Sequence, residues 1–518
     1  WNASIQLALA VVLLADQALL ALDAIGRSLA RVYVTRRRLL EWQTASQVEH
    51  TTASGRRAVW RRMWPAVALA AATVGVTFWS LEHHLPNGAA SWPYVAVLGA
   101  LAVCWLAAPE VAFAVSAPRS HADVVLDDEE RATALRYALR TWRYFERFVT
   151  AETHWLVPDN FQETPDPVIA SRTSPTNIGL QLLATVSACD LGFITRGKMV
   201  EQLERVFDTL DTMPRVRGHF LNWYDIEDLR VLDPPYVSTV DSGNFAGHLI
   251  ALAEACHAMA DAPLDGSAAA LALAPRLDAV ARRARAMAAD MDFRLLYEPQ
   301  RRLFAIGYDA RTGRLDEGSY DLLASESRLG SFVAVAKGDV RAEHWFRLGR
   351  SLTTADGATA LVSWSGSMFE YLMPLLVMPL RPFSLLDQTC HAAVRRQMAY
   401  GRGRRVPWGV SECAYNLRDR HGTYQYRGFG VPDLALKRGL SGDLVVAPYA
   451  TALAAVVEPH EALRNLAELE RLGTFGYYGF YDALDFTRAI PGEAATVVRT
   501  YMAHHVGMSL VALDNALS

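Results

Sequence analysis

Charge is sparse in this sequence. Only 20% of its 518 residues are Asp, Glu, Lys or Arg, and the formal net charge is −4. That excludes a highly charged disordered chain and leaves no electrostatic footing for DNA or RNA. Cysteine is scarce too. The five present (Cys104, Cys189, Cys256, Cys390, Cys413) are odd in number and scattered, with no two at metal-ligand spacing. A disulfide framework and a zinc site are therefore not expected. Neither GxGxxG nor GxxxxGK[ST] occurs, so there is no sequence case for a nucleotide site, and "SGSM" is not a GxSxG elbow. No repeat of fixed period points to a solenoid. What is abundant is apolar: 51% of residues, with 13 Trp and 19 Tyr. So many aromatics suit a carbohydrate ligand or a large core equally.

The first 120 residues read as membrane. Apolar runs cover about Ile5–Ile25, Met63–Leu81 and Trp92–Ser116, each near the roughly 20 residues that cross a bilayer core. The second and third are expected to span. The first carries Asp16 and Asp23, and Glu110 lies in the third; such groups are costly unless they face protein. Arg27, Arg31, Arg36, Arg37, Arg38, Arg56, Arg57, Arg61 and Arg62 lie between the first two runs, whereas "EHHLPNGAAS" has no Lys or Arg. The positive-inside rule puts the Arg-rich loop and everything after about residue 117 in the cytoplasm. Buried helices of a soluble protein are the alternative; a cleaved signal peptide does not fit three runs. Because the chain starts at Trp1, inside an apolar run, it is expected to be part of something longer.

Residues 121–518 read as one helical domain, with the boundary near 117–127. "LDDEERATALRYALRTWRYFERFV" has acids in its first turn, apolar steps of three and four, and arginines later. Similar patterns cover about 176–190, 195–213, 241–262, 267–292, 320–336, 339–351, 366–377, 384–401, 446–458, 460–472 and 497–516. Short β pieces are expected at 217–224, 302–308 and 423–427. Twelve helices fit six hairpins closed into a double ring, an (α/α)6 toroid, although helix count does not prove closure.

Helical scaffolds carry function on loops at one end. Several loops here embed carboxylates among small and aromatic residues: Asp241 in "YVSTVDSGN", Glu326 in "LLASESRLGSF", Glu370 in "SWSGSMFEYLMP" and Glu412 in "PWGVSECAYNLRDRHGTYQYRGFG". Acid/base or nucleophilic work on an acetal needs two carboxylates flanking the bond. Periodicity does not choose the pair. The alternative for any one is an ion pair with Arg172, Arg328 or Arg418. His504 and His505 have no third ligand at metal spacing and are expected to line a pocket or satisfy a loop. Cys413 is expected to be a small buried residue.

Taken together, "DNFQE", "SRTSPTNIGL", "GHFLNWYD", "YVSTVDSGN", "LLASESRLGSF", "KGDVRAEHWF", "SWSGSMFEYLMP", "PWGVSE", "FGVPDLALKRGL", "DLVVAPYATALA" and "YMAHHVGMSL" resemble the middle region of cyclic β-1,2-glucan synthases. "RVYVTRRRLLEWQTASQ" resembles the membrane segment before it. The resemblance implies a large bacterial inner-membrane protein whose flanking glycosyltransferase and phosphorylase modules make and trim linear β-1,2-glucan. It implies that the middle domain is a glucoamylase-like (α/α)6 toroid of glycoside hydrolase family 189, which closes the glucan into a ring. In that family a retaining pair is used. The acid/base of the "ASE" motif falls here on Glu326, and the nucleophile of the "WG-SE" motif on Glu412. Substrate contacts are expected at Asp241, Glu370, Arg172, Trp364, Trp408, Tyr415 and Tyr426. Val506 departs from an expected Gln in "HHVGM", which puts a side-chain contact in doubt. No metal or cofactor, and no nucleic acid partner, is implied. An endo-β-1,2-glucanase and a non-catalytic glucan-binding module are the competing readings.

Overall fold

The computed structural model describes residues 2–37, 55–84, 92–116, 125–261 and 268–518. Residues 38–54 of the expected Arg-rich loop, 85–91 of the next loop and 117–124 of the expected boundary lie outside them. Two compact units result, residues 1–122 and 123–518.

The first unit contains α1 (Asn2–Leu29), α2 (Arg56–His84) and α3 (Trp92–Ser116). Among the described residues, two stretches are long and apolar enough to cross a membrane by length and composition, 4–35 and 93–116. The run expected to be weakest is thus one of the two, and Met63–Leu81 lies within α2. Two of the three acids have side-chain partners: Asp23 pairs with Arg27 one turn on, and Glu110 accepts from Arg56 Nε (2.9 Å) and Trp60 Nε1 (2.5 Å).

Among the described residues of the second unit, twelve helices alternate between two layers. The outer ones are α4 (Asp128–Phe148), α6 (Arg196–Thr212), α8 (Ala268–Asp290), α10 (Glu343–Arg347), α12 (Leu385–Arg404) and α14 (Pro459–Arg471). The inner ones are α5 (Pro175–Asp190), α7 (Thr239–Asp261), α9 (Arg328–Lys337), α11 (Met368–Leu372), α13 (Pro448–Ala454) and α15 (Ala503–Leu517). Sequence decides the layer. Outer α6 buries one stripe, Met199, Val200, Leu203, Val206, Phe207 and Leu210, the face expected of a helix with one side in solvent. Inner α5 buries every residue from Pro175 to Ala188. Caps start the helices where the pattern predicts. Asp127 and Glu130 form a reciprocal capping box on α4, and Ser174 accepts from Asn177 N (3.2 Å) ahead of Pro175 on α5.

The ring closes. Inner α15 packs on inner α5, with Gly507 against Leu180. Outer α4 meets α14 through Arg136–Glu470 (2.6 Å) and His460–Glu130 (2.7 Å). Neighbouring inner helices meet at their early residues. Gly243 and Gly330, the fifth residue of α7 and the third of α9, touch backbone to backbone, and Thr176 of α5 bonds to Asp241 of α7. With the Gly507–Leu180 contact, the N-termini of α5, α7, α9 and α15 lie together.

Five expected helices are shorter than the pattern suggested; 446–458 keeps only Pro448–Ala454, behind the strand Val445–Val446. Helix 320–336 begins only at Arg328, because Ser319–Tyr320 pairs as a strand with Phe304–Ala305. Helix 497–516 begins at Ala503, after strands Thr496–Val498 and Thr500–Met502. Helix 366–377 tightens to a 3-10 turn at Pro374, and 339–351 keeps only Glu343–Arg347. The β pieces expected at 217–224, 302–308 and 423–427 are present as His219–Phe220, Leu303–Ala305 with Gly307–Asp309, and Tyr424–Arg427.

A Cβ on Gly243 would lie 2.5 Å from the Gly330 Cα, where only backbone can yield. Gly243→Ala should cost about 1–3 kcal/mol through overpacking, read as a lower denaturation midpoint, while Gly197→Ala on open surface should not.

Candidate active site

Glu326 sits on the loop that enters α9, half-buried, with its Oε2 accepting from Ser325 Oγ (3.2 Å). The next-but-one side chain fixes this loop. Arg328 is 1% exposed and donates to three main-chain carbonyls: Ser325 (3.0 Å), Glu370 (2.8 Å) and Tyr371 (2.5 Å). The guanidinium thus staples α9 to α11 instead of pairing with the Glu326 carboxylate. Burial raises the Glu326 carboxyl to about 7, helped by the charge of Glu370.

Glu412 sits on a loop with no ladder of its own. Side-chain amides replace one. Gln397 exchanges two hydrogen bonds with Val410 (2.8 Å each), and Asn465 brackets Trp408 through its N–H (3.1 Å) and C=O (2.8 Å). Ser411 Oγ accepts from Phe369 N (3.1 Å), and the Tyr449 hydroxyl lies 2.8 Å from that Oγ and 2.9 Å from the Glu412 carbonyl oxygen. The Glu412 side chain is half-buried. Burial raises it to about 8, with the charges of Glu326 and then Glu370 adding to the effect.

The structure brings Asp241, Glu326, Glu370, Glu412 and Tyr426 into one electrostatic neighbourhood. Half-buried Tyr320 joins them; its hydroxyl is raised by burial and then by Glu326, Asp241, Tyr236 and Glu412. Asp241, in the first turn of α7, accepts from Thr176 Oγ1 (2.6 Å) and from the Asn222 amide (2.9 Å), whose oxygen takes the Trp223 indole N–H (3.0 Å). Burial raises its carboxyl. Arg172 lies over the Trp223 ring (4.5 Å) and pairs with buried Asp159 (3.1 Å). Tyr426, 39% exposed, places its hydroxyl 3.3 Å from Glu412 Oε2.

Other expected contacts are placed differently. The Glu370 carboxylate is filled by its own loop, accepting from Ser363 Oγ, Ser365 N and Oγ, and Ser367 N and Oγ at 2.7–3.2 Å. It shapes the site as a charge and a cap. Trp408 is buried in the core and holds the Glu412 loop. Tyr415 packs on Phe429 beneath Arg427 and Arg488. Ala414 is the cross-strand partner of Tyr426, so strand alternation puts Tyr415 on the other face. Trp364 is exposed, with its carbonyl accepting from Lys437 N (2.9 Å). Val506 lines a cavity of about 10 Å³ with Tyr478, Phe480 and His505.

Sequence reasoning missed Tyr320, Tyr449 and Asp482. Asp482 is buried, and its Oδ1 lies 2.5 Å from His505 Nδ1. Its only sequence signal was its place in the polar, aromatic "GYYGFYDALDFT".

Chemically, the arrangement offers two carboxyls held up by burial, Glu412 also by the charge of Glu326. Like charges in one neighbourhood resist ionising together, which favours keeping one of the two protonated near neutral pH. That supplies an acid and an anion at once.

Comparison with known proteins agrees with this geometry. The chain is 40% identical to the cyclic β-(1,2)-glucan synthase NdvB of Rhizobium meliloti, over 99% of this chain and 22% of that protein. The resemblance read from the motifs is borne out. This chain is similar to a segment of a cyclic β-1,2-glucan synthase and spans about a fifth of that relative's length. Residues 319–518 match a family described as putative glucoamylase, and 136–245 one described only as of unknown function. Among solved structures, a putative glucoamylase from Bacteroides fragilis superposes with a TM-score of 0.60 at 18% identity, covering 77% of this chain and 93% of that one. An endo-β-1,2-glucanase from Chitinophaga pinensis gives 0.59 at 15%, covering 76% and 94%. The fold is thus the glucoamylase-like helical toroid.

The raised carboxyls carry a stability signature. Between the ordinary carboxylate range and the folded values, the unfolded chain is ionised while the folded site holds its protons. Stability from these groups is full at low pH and is lost as pH rises through about 7 to 8. Glu412→Gln should therefore raise the melting temperature relative to the parent at pH 8, and the gain should disappear at pH 5.

Proposed function

We propose that residues 121–518 form a retaining transglycosylase that cyclises linear β-1,2-glucan, and that residues 1–120 are its membrane segment within a larger synthase. The observation that carries this reading is the pair Glu326 and Glu412 on neighbouring loops, both raised by burial, with the charge of Glu326 acting on Glu412. The similarity along nearly the whole chain to the Rhizobium meliloti synthase supplies the polymer. β-1,2-Glucan processing is the broad reading; ring closure is the finer one.

In the first step protonated Glu326 gives its proton to the glycosidic oxygen as the C1–O bond breaks. The Glu412 carboxylate bonds to C1, forming a glycosyl ester, and the leaving chain departs. In the second step Glu326, now a carboxylate, takes the proton of the 2-hydroxyl at the other end of the same chain. That oxygen attacks C1, the ester bond breaks, and both carboxyls return to their starting states. The retaining geometry needs the two groups roughly 5–5.5 Å apart. The Trp223–Arg172 plate and Asp241 offer a stacking face and acceptors for sugar hydroxyls.

Two apolar stretches in the first unit support association with a bilayer. With the toroid on the side of the Arg-rich loop, it would work in the cytoplasm of a bacterium, at the inner membrane. The flanking glycosyltransferase and phosphorylase modules of the same polypeptide would supply and trim the linear chain.

Purified protein incubated with linear β-1,2-glucan should yield products lacking the mass of one water, resolved by mass spectrometry. Glu326→Gln and Glu412→Gln should each lower turnover by about 10²–10⁴-fold. New short reducing chains from the parent would instead make it an endo-β-1,2-glucanase, with water as acceptor.

A further inference from the structure

Behind Glu412 runs a continuous line of polar atoms that the two-carboxylate scheme does not use. The Tyr426 hydroxyl lies 3.3 Å from Glu412 Oε2 and 3.3 Å from His505 Nε2. His505 Nδ1 lies 2.5 Å from Asp482 Oδ1, and Asp482 Oδ2 accepts from Ala414 N (2.6 Å). His505 is 3% exposed and lies flat on Tyr449, with ring centroids 3.6 Å apart and planes 9° apart. The imidazole therefore cannot turn to other partners.

Each link has one proton, so the line has two polarities. In the first, Asp482 O–H donates to Nδ1, Nε2–H donates to the Tyr426 oxygen, and the Tyr426 O–H donates to the Glu412 carboxylate. In the second, Glu412 O–H donates to Tyr426, Tyr426 O–H donates to Nε2, and Nδ1–H donates to the Asp482 carboxylate. Three protons and one negative charge are present in both. The imidazole is neutral in both, which suits its burial.

We propose that Tyr426 and His505 form a hydrogen-bonded wire over which Asp482 and Glu412 hold a single proton, which rests on Asp482 when Glu412 is the attacking carboxylate. Tyr426, His505 and Asp482 are positioning residues in this scheme, acting through Glu412. The inference rests on the reading of Glu412 as nucleophile. Burial and the charges of Glu326 and Glu370 raise Glu412, and the Tyr426 hydroxyl is the group that opposes them. Burial also raises Asp482 to about 7, which keeps the far proton available. Glu326, Glu370, Tyr320, Tyr449 and Cys413 are the other titratable groups acting on or beside Glu412. His504 and Cys413 act with Asp482, and Asp159 with His504. His504 Nε2 also comes within 3.4 Å of the Tyr426 hydroxyl.

The test is a carbon-13 NMR titration of the full chain carrying carboxyl-labelled glutamate. The Glu412 resonance is assigned by its loss in Glu412→Gln. In Asp482→Asn the amide oxygen keeps the Ala414 bond and the amide N–H faces Nδ1, which fixes the first polarity. The Glu412 midpoint should then fall by about one pH unit, the scale of coupled sites. In a Tyr426→Phe background the same Asp482→Asn change should leave the midpoint where it is. Tyr426→Phe removes one hydroxyl from a partly exposed side chain, so the fold is kept. An equal fall in both backgrounds would mean a through-space field and would overturn the wire, as would no fall in either. Turnover of Glu412→Gln equal to the parent would overturn the nucleophile assignment instead, and the titration would still decide the wire.

Discussion

Arg328 follows Glu326 by two residues and is buried to 1% exposure, yet its guanidinium faces main-chain carbonyls. A buried cation beside buried carboxylates would ordinarily form an ion pair. Here its hydrogen bonds are committed to geometry. They tie the loop carrying Glu326 to the helix carrying Glu370, across a junction where the inner ring has little other material. Because the pair is not made, Glu326 stays high enough to carry a proton at neutral pH. Had Arg328 turned to Glu326, the loop would lose its staple and the carboxyl its proton together.

The inner helices do the rest. The N-termini of α5, α7, α9 and α15 come together, where partial positive charge favours anions. The carboxylates gathered there are handled in three ways. Glu370 is saturated by five donors of its own loop. Asp241 is held by a hydroxyl and an amide. Glu326 and Glu412 are left under-satisfied, with one hydroxyl donor each. Under-satisfaction in a buried place is what distinguishes a group kept reactive from one kept structural, and only the last two meet that description.

Much of this was legible in the sequence. The twelve helices follow apolar spacing, because local periodicity reports burial of a face. Glu326 and Glu412 stood out through their motifs. What escaped detection is non-local. The strands are two to six residues long, too short for alternation to register. Tyr426 and His505 are 79 positions apart, and no pattern in either segment announces the other. Trp408 and Tyr415 could not be placed from sequence, because an aromatic residue in a polar loop looks the same whether its ring faces a cleft or a core. The role of Glu370 as a cap was not legible, because a capping box inside a Ser-rich loop is visible only when all its donors converge.

The contact of Gly243 with Gly330 has a mechanical consequence. Helices that meet backbone to backbone have no side-chain cushion to compress, and Arg328 locks the neighbouring joint. The reactive end of the ring is therefore inelastic. Adjustment to whatever occupies that end falls to the loops that carry the carboxylates, not to the helical wall.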